Sequence, residues 1–188
     1  MVPLPAMRSS LVVLVHGAFG FGPEWDPIVA KLRQNGQPFV AFEWRGPFHD
    51  LTGAVVDLGT LLQRALDEAP GAREILVLAH SAGGPLATRA ALSLRVREGS
   101  RVFIAELDSP SFMTGRPFFR TRISASPEMP PGVERTLYRA RGTPKLVPPH
   151  TVYLGRWVSH GHSVALAGLP LVEDLAVRSR ASVDAARQ

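Results

Sequence analysis

The feature that most constrains the fold is a short apolar run that ends in a serine and continues as a helix. Residues Ile75 to Leu78 form a continuous apolar segment, which is typical of a strand covered on both faces. Residues Pro85 to Leu92 have the pattern of a helix packed against that strand. Ser81 lies between the two, where the chain must turn sharply. We therefore expect a strained backbone at Ser81 that raises its hydroxyl above the sheet.

Small residues flank this serine. Ala79 and Gly83 stand two positions before and two positions after Ser81, which gives the pattern A-x-S-x-G. This pattern resembles the nucleophile elbow of the alpha/beta-hydrolase superfamily, in which alanine also occurs at the first small position. The resemblance implies that Ser81 is a catalytic nucleophile. The alternative is a serine that only caps the following helix.

A second motif precedes the elbow by one strand-helix-strand unit. The apolar run Leu11 to Val15 ends in His16-Gly17-Ala18-Phe19, which resembles the oxyanion loop of the same superfamily. When a serine attacks an ester carbonyl, the oxygen becomes an anion, and fixed N–H groups stabilise it without reorganising. The resemblance implies that Ala82 donates one such N–H group and that Ala18 or Phe19 donates the other.

The residues between the two motifs follow the same family order. Apolar residues recur at helical spacing from Trp25 to Leu32, and residues 38–44 read as a second strand. A long amphipathic helix follows, with Asp50 as its expected N-cap and its end near Pro70. We therefore expect an α/β fold with a mostly parallel sheet of about five or six strands and helices on both faces. We also expect one compact domain over residues 1–188, without the family's leading antiparallel strands and without a large cap domain.

A serine hydrolase needs a histidine as its base, and the chain has six. Four are poor candidates because of their place in the chain order or on the expected strands: His16, His49, His80 and His150. The loop Ser159-His160-Gly161-His162 remains. His162 resembles the family's catalytic histidine because the residues around it match the family pattern at Gly161, Leu166, Pro170 and Val172. His160 is the reserve candidate, and a pair of exposed loop histidines is the alternative without a function.

The acid of the triad is harder to place. No Asp or Glu lies between Leu154 and His162, but Asp108 directly follows the apolar strand of residues 101–107. This stretch resembles lipases of the pancreatic type, which implies that Asp108 is the acid. It also resembles a stretch of bacterial lipases in which the matching position is not catalytic, and an aspartate before Pro110 can simply form a turn. Glu106 should face the other side of the strand and is a weaker candidate.

The net charge of +5 is concentrated in one irregular part of the chain. Residues 110–149 contain seven basic and two acidic side chains, whereas the remainder has fourteen of each. This segment is rich in proline, so we expect a basic excursion with only short regular pieces, such as Val133 to Arg139. It is a candidate lid, and it could make weak contact with an anionic surface. A solvated basic loop without a function is the alternative.

These residues together predict a serine-dependent carboxylic ester hydrolase, similar to esterases and lipases, that uses a catalytic triad and an acyl-enzyme intermediate. We expect no metal and no cofactor, because the chain has neither a phosphate-binding glycine loop with lysine nor an HExxH motif. Nucleic acid is not an expected partner, and the oligomeric state is left open. No stretch is long enough to span a membrane, and a cytoplasmic location is expected unless a leader has been removed. Two alternatives remain: an acyltransferase, lyase or peroxidase of the same fold, or a degenerate hydrolase that only binds.

Overall fold

The computed structural model describes residues 10–46, 51–68, 73–109, 128–139, 151–154 and 159–185. Strands and helices alternate along most of the chain. The elements are β1 (Ser10–Val15), α1 (Asp26–Gln34), β2 (Phe39–Phe42), α2 (Leu51–Asp67), β3 (Glu74–His80), α3 (Gly83–Ala91), β4 (Arg101–Leu107), β5 (Val133–Arg139), β6 (Thr151–Tyr153) and α4 (His162–Ala185). A single 3-10 turn, Pro23–Trp25, precedes α1.

The six strands form one sheet in the order β2-β1-β3-β4-β5-β6. Every neighbouring pair is parallel. The prediction of a mostly parallel sheet is therefore confirmed. The strand order reverses at β1, because the chain passes from β1 outward to β2 and then returns to the other side of β1. In open parallel sheets the functional site lies beyond the carboxyl ends of the strands near such a reversal.

Helices cover both faces of the sheet, as expected. One apolar core joins α2 and α3 to the sheet, with side chains such as Leu58, Leu62 and Leu86. The other core joins α1 and α4 to the opposite face, with Ile28 and Leu175 among its members. Residues Leu11 to Val15 are completely buried, because alternate side chains enter the two cores. This explains why the strand reads as one continuous apolar run.

The segment expected to be irregular contains a strand of the sheet. Residues Val133–Arg139 form β5, which pairs with β4 on one side and β6 on the other. The expectation of a short regular piece at these residues is thus confirmed, and that piece belongs to the main sheet. Residues 110–127 and 140–149 lie outside the described residues, and with them most of the candidate lid. In the part of the chain that the structure describes, no cap domain stands above the sheet.

None of the helices in the described ranges combines the length and the apolar character that a membrane span requires.

Candidate active site

Ser81 lies in the strained turn that the sequence predicts. It directly follows β3 and has a φ of 53°, which falls in the left-handed region that non-glycine residues rarely adopt. Its N–H donates to the carbonyl of Leu107 at 3.0 Å, and its own carbonyl accepts from Gly84 at 3.1 Å. These two hydrogen bonds tie the turn to β4 and to the start of α3. The residue is half-buried.

Gly83 shows why the elbow needs a small residue after the serine. A Cβ atom at this position would lie 2.5 Å from the carbonyl oxygen of His16 and 2.8 Å from that of Val15. Both atoms belong to backbone and cannot move aside cheaply. The small residue is therefore required by the close approach of the α3 start to the end of β1. Ala79, the other small position, is completely buried.

The loop after β1 comes directly against the serine. A Cβ atom on Gly17 would lie 3.0 Å from the Ser81 Cβ and 3.5 Å from its Oγ. Gly17 and Gly20 pair with each other across a tight antiparallel turn that holds Ala18 and Phe19. The candidate oxyanion residues of this loop are thus within two residues of a glycine that contacts the serine. Ala82, the third candidate, is the N-cap residue of α3.

His16 anchors the base of this turn, as a structural role would require. Its ring is buried and stacks on Trp44, with the ring centroids 5.6 Å apart. The Trp44 backbone N–H donates to His16 Nε2 at 3.2 Å, so Nε2 accepts and Nδ1 carries the hydrogen that reaches the Gly17 carbonyl at 2.7 Å. The Trp44 indole N–H also donates to the His16 carbonyl at 3.0 Å. These contacts fix the loop to the residues that follow β2.

Asp108 directly follows β4, at the same edge of the sheet as Ser81. It also has a left-handed backbone, with a φ of 45°, and its N–H donates to the Tyr138 carbonyl at 2.6 Å. Its carboxylate accepts a hydrogen bond of 2.7 Å from the Nδ1 of His160. The carboxylate is largely shielded from solvent whereas the imidazole is half exposed. This is the orientation in which an aspartate holds a histidine with its Nε2 free to act as a base.

The histidine that contacts Asp108 is therefore His160, the reserve candidate, and not His162. His162 is the first residue of α4, and its side chain is exposed. Its backbone N–H donates to Ser159 Oγ at 3.3 Å, so Ser159 acts as the cap of the helix. Capping places His160 in the loop before the helix, next to the ends of the strands. In the sequence, Ser159 is the feature that could have indicated this, because a serine before a segment with apolar residues at helical spacing is typical of a helix start.

His80 lies closer to the site than the sequence suggests. Its ring centroid is 4.4 Å from that of His160, and its Nε2 is 3.1 Å from the His160 carbonyl oxygen. Burial lowers the pKa of His80 to about 4, with the neighbouring His160 as the second cause. His80 was a poor candidate for the base because it directly precedes the elbow serine and should point away from it, but no pattern in the sequence indicates its contact with His160.

Glu106, the weaker candidate for the acid, has its partners on the α3 side of β4 and on β5. Its buried carboxylate accepts two hydrogen bonds from Arg135, at 2.9 and 3.1 Å, and a short one from the Thr88 hydroxyl. Within the described residues, no group of His, Cys, Asp or Glu side chains is arranged to hold a metal ion.

Comparison with known proteins agrees with the fold. A crystal structure from Xanthomonas campestris pv. campestris, described as a hydrolase of the alpha/beta superfamily, matches over 95% of this chain and 99% of its own. The TM-score is 0.54 and the sequence identity is 14%, so this likeness concerns the fold alone. No curated protein sequence matches the chain. The model of the alpha/beta hydrolase family matches residues 12–184, and the chain belongs to that family.

Proposed function

We propose that this protein is a serine esterase that cleaves carboxylic esters through Ser81, His160 and Asp108. The observation that carries the proposal is the hydrogen bond of 2.7 Å between Asp108 and His160 Nδ1, at the sheet edge where the strained Ser81 lies. Sequence resemblance favoured His162 as the base. The proposal assigns that role to His160 because the aspartate contacts it.

The proposed reaction has two halves. Ser81 Oγ attacks the ester carbonyl while its proton passes to His160 Nε2, and the alcohol leaves with that proton. Water then gives a proton to His160 and attacks the acyl-enzyme, which releases the acid and returns the proton to Ser81. Asp108 keeps its hydrogen bond to Nδ1 throughout, so it holds the ring in one tautomer and stabilises the imidazolium that forms twice in the cycle.

The oxyanion of each tetrahedral intermediate needs N–H donors beside the Ser81 Oγ. We assign these to Ala82 and to Ala18 or Phe19, because Gly17 brings their loop against the serine. Fixed backbone donors stabilise the developing charge without reorganising, and loss of one such donor typically costs about a hundred- to a thousand-fold in rate.

An ester with an apolar part is the substrate that the surroundings favour. The Phe19 side chain is 93% exposed at the tip of the Gly17–Gly20 turn. It is two residues from Gly17, so its backbone lies within about 8 Å of the glycine that contacts Ser81. An exposed aromatic ring on the loop that approaches the nucleophile offers apolar surface to an acyl chain or to the alcohol part of an ester.

Two histidine variants test the assignment of the base. We expect His160→Gln to lower the hydrolysis of p-nitrophenyl butyrate by at least about a thousand-fold, because removal of the base leaves only binding and the oxyanion donors. His162→Gln is the matched control and should keep nearly all activity. The reverse result, with His162→Gln inactive and His160→Gln active, would contradict the proposal.

A further inference from the structure

His80 is a buried histidine that the proposed reaction does not use. It is the last residue of β3, directly before Ser81, and only 5% of it is exposed. Its ring lies between two others, with centroid distances of 6.4 Å to Trp25 and 4.4 Å to His160. The strand that carries the candidate nucleophile is therefore in direct contact with the loop that carries the candidate base.

The hydrogen bond between these residues has a fixed direction. The His160 carbonyl can only accept, so the His80 Nε2 at 3.1 Å must carry a hydrogen and donate it. The same carbonyl accepts from Ser163 Oγ at 2.7 Å. Two side chains, one from the end of β3 and one from the start of α4, thus hold the backbone of His160. Asp108 holds its ring.

The charge of His80 matters at this distance. A cation on His80 would lie next to the His160 ring and would oppose its protonation by the serine. Desolvation lowers the pKa of His80 most, and the neighbouring His160 ring lowers it further. The hydrogen bond to the His160 carbonyl and the carboxylates of Glu24 and Asp108 act in the opposite direction. Desolvation dominates, so His80 donates its hydrogen bond without carrying a charge near neutral pH.

We propose that His80 is a positioning residue for His160: its Nε2–H fixes the His160 backbone so that the ring keeps its hydrogen bond to Asp108. The importance of this for catalysis rests on the proposed function. The contact itself does not, because it concerns the geometry of His160 whether or not the protein hydrolyses esters.

Two substitutions separate positioning from simple packing. His80→Gln keeps an N–H donor at nearly the same distance from the backbone, whereas His80→Leu keeps an apolar side chain of similar length without a donor. We expect His80→Leu to lower kcat on p-nitrophenyl butyrate by about a hundred-fold with KM little changed, as for a misplaced catalytic group. His80→Gln should stay within about ten-fold of the wild type, since it keeps a donor for the His160 carbonyl.

A second readout does not depend on activity. The proton on His160 Nδ1, hydrogen-bonded to Asp108, should give a downfield NMR resonance that His160→Gln removes. We expect this resonance in the wild type and in His80→Gln, and we expect it to be broadened or lost in His80→Leu. If the protein hydrolyses no ester but the resonance behaves in this way, the proposed function fails and the positioning role stands.

His80→Asn provides the test if His80→Leu does not fold. Its amide is polar like the imidazole, but the side chain is too short to reach the His160 carbonyl, so this variant should also broaden the resonance and lower kcat. A sharp, unshifted resonance together with unchanged kcat in His80→Leu would overturn the proposal. If His80→Leu is unfolded, the same result in His80→Asn would overturn it.

Discussion

Asp108 has a left-handed backbone, and its carboxylate accepts a hydrogen bond from His160. A substitution by asparagine keeps the size of the side chain and therefore tests the proposed triad without removing any packing. Asp108→Asn should keep the fold but lower kcat by about a thousand- to ten-thousand-fold, because the amide favours the wrong tautomer of His160. Steady-state ester hydrolysis measures this loss. The control is Asp57→Asn, which changes an exposed carboxylate on α2. Near-normal activity of Asp108→Asn would show that the contact is only structural.

The low pKa of His80 should be visible in the stability of the protein. The pKa of His80 falls from 6.5 to about 4 on folding. Between these two pH values, the unfolded chain therefore binds a proton at His80 and the native protein does not. The protonation of His80 therefore has no effect on the free energy of unfolding above pH 6.5. As the pH falls toward 4, it lowers that free energy by at most about 3 kcal/mol.

Urea unfolding of the wild type and of His80→Gln between pH 7.5 and about 4 measures this loss. The variant should lose less stability over this range than the wild type, whereas the control His162→Gln should keep the wild-type dependence. Equal slopes for the wild type and His80→Gln would mean that His80 is not held neutral.

At the residue scale, the sequence was sufficient for the position and strain of Ser81 but not for which histidine contacts Asp108. The elbow depends on three local features, namely a buried strand, a sharp turn and a small residue at Gly83. All three can be recognised from residues that are close together in the sequence. The choice between His160 and His162 depends on where α4 begins. A shift of two residues moves a side chain from a loop at the end of the strands to an exposed helix surface, and helix ends are poorly defined by apolar periodicity.

At the scale of elements, the turn from Gly17 to Gly20 connects the fold to the proposed reaction. Gly17→Ala would put a Cβ atom 3.0 Å from the Ser81 Cβ, so either the serine or the loop must shift. We expect a loss of about a hundred-fold in kcat/KM, because small displacements of catalytic groups are costly. The free energy of unfolding should fall by only about 1–3 kcal/mol, as in other cases of overpacking.

Gly53→Ala is the matched control for that substitution. Gly53 lies in α2 with open space where a Cβ atom would be, so alanine should leave activity unchanged and raise the free energy of unfolding by up to about 1 kcal/mol. The role of the turn would be contradicted if Gly17→Ala were as active as Gly53→Ala.

Most elements could be predicted because their apolar residues follow a pattern typical of one type of secondary structure. The strands β1, β3 and β4 are apolar runs, and the helices α1 and α2 show apolar residues at helical spacing. The place of β5 in the main sheet could not be predicted, because Val133–Arg139 is not an apolar run: Glu134, Arg135 and Thr136 follow one another. Arg135 helps to hold this polar strand next to β4. Its guanidinium pairs with Glu106, a contact between residues far apart in sequence.

At the scale of the whole molecule, the buried group of Glu106, Arg135 and Thr88 joins β4, β5 and α3. Glu106 is 1% and Arg135 12% exposed in their side chains. Arg135→Met should lower the free energy of unfolding by about 3–5 kcal/mol, because it leaves a buried carboxylate without its cation. Urea unfolding measures this change. The double variant with Glu106→Gln should recover part of the loss, since it leaves no buried charge.

An exposed ion pair between helices provides the control. Lys31 and Glu173 join α1 to α4 at 2.9 Å, with half or more of the Glu173 side chain in solvent. Glu173→Ala should cost less than about 1 kcal/mol. The account of the buried group would be contradicted if Arg135→Met were no more destabilising than Glu173→Ala.

The most direct test of the central claim is to treat the protein with a fluorophosphonate probe and to locate the adduct by peptide mass spectrometry. We expect one phosphonylated serine, Ser81, in the wild type. We expect no adduct in Ser81→Ala and strongly slowed labelling in His160→Gln. No adduct on a folded wild-type protein, or an adduct on a different serine, would contradict the claim that Ser81 is an activated nucleophile.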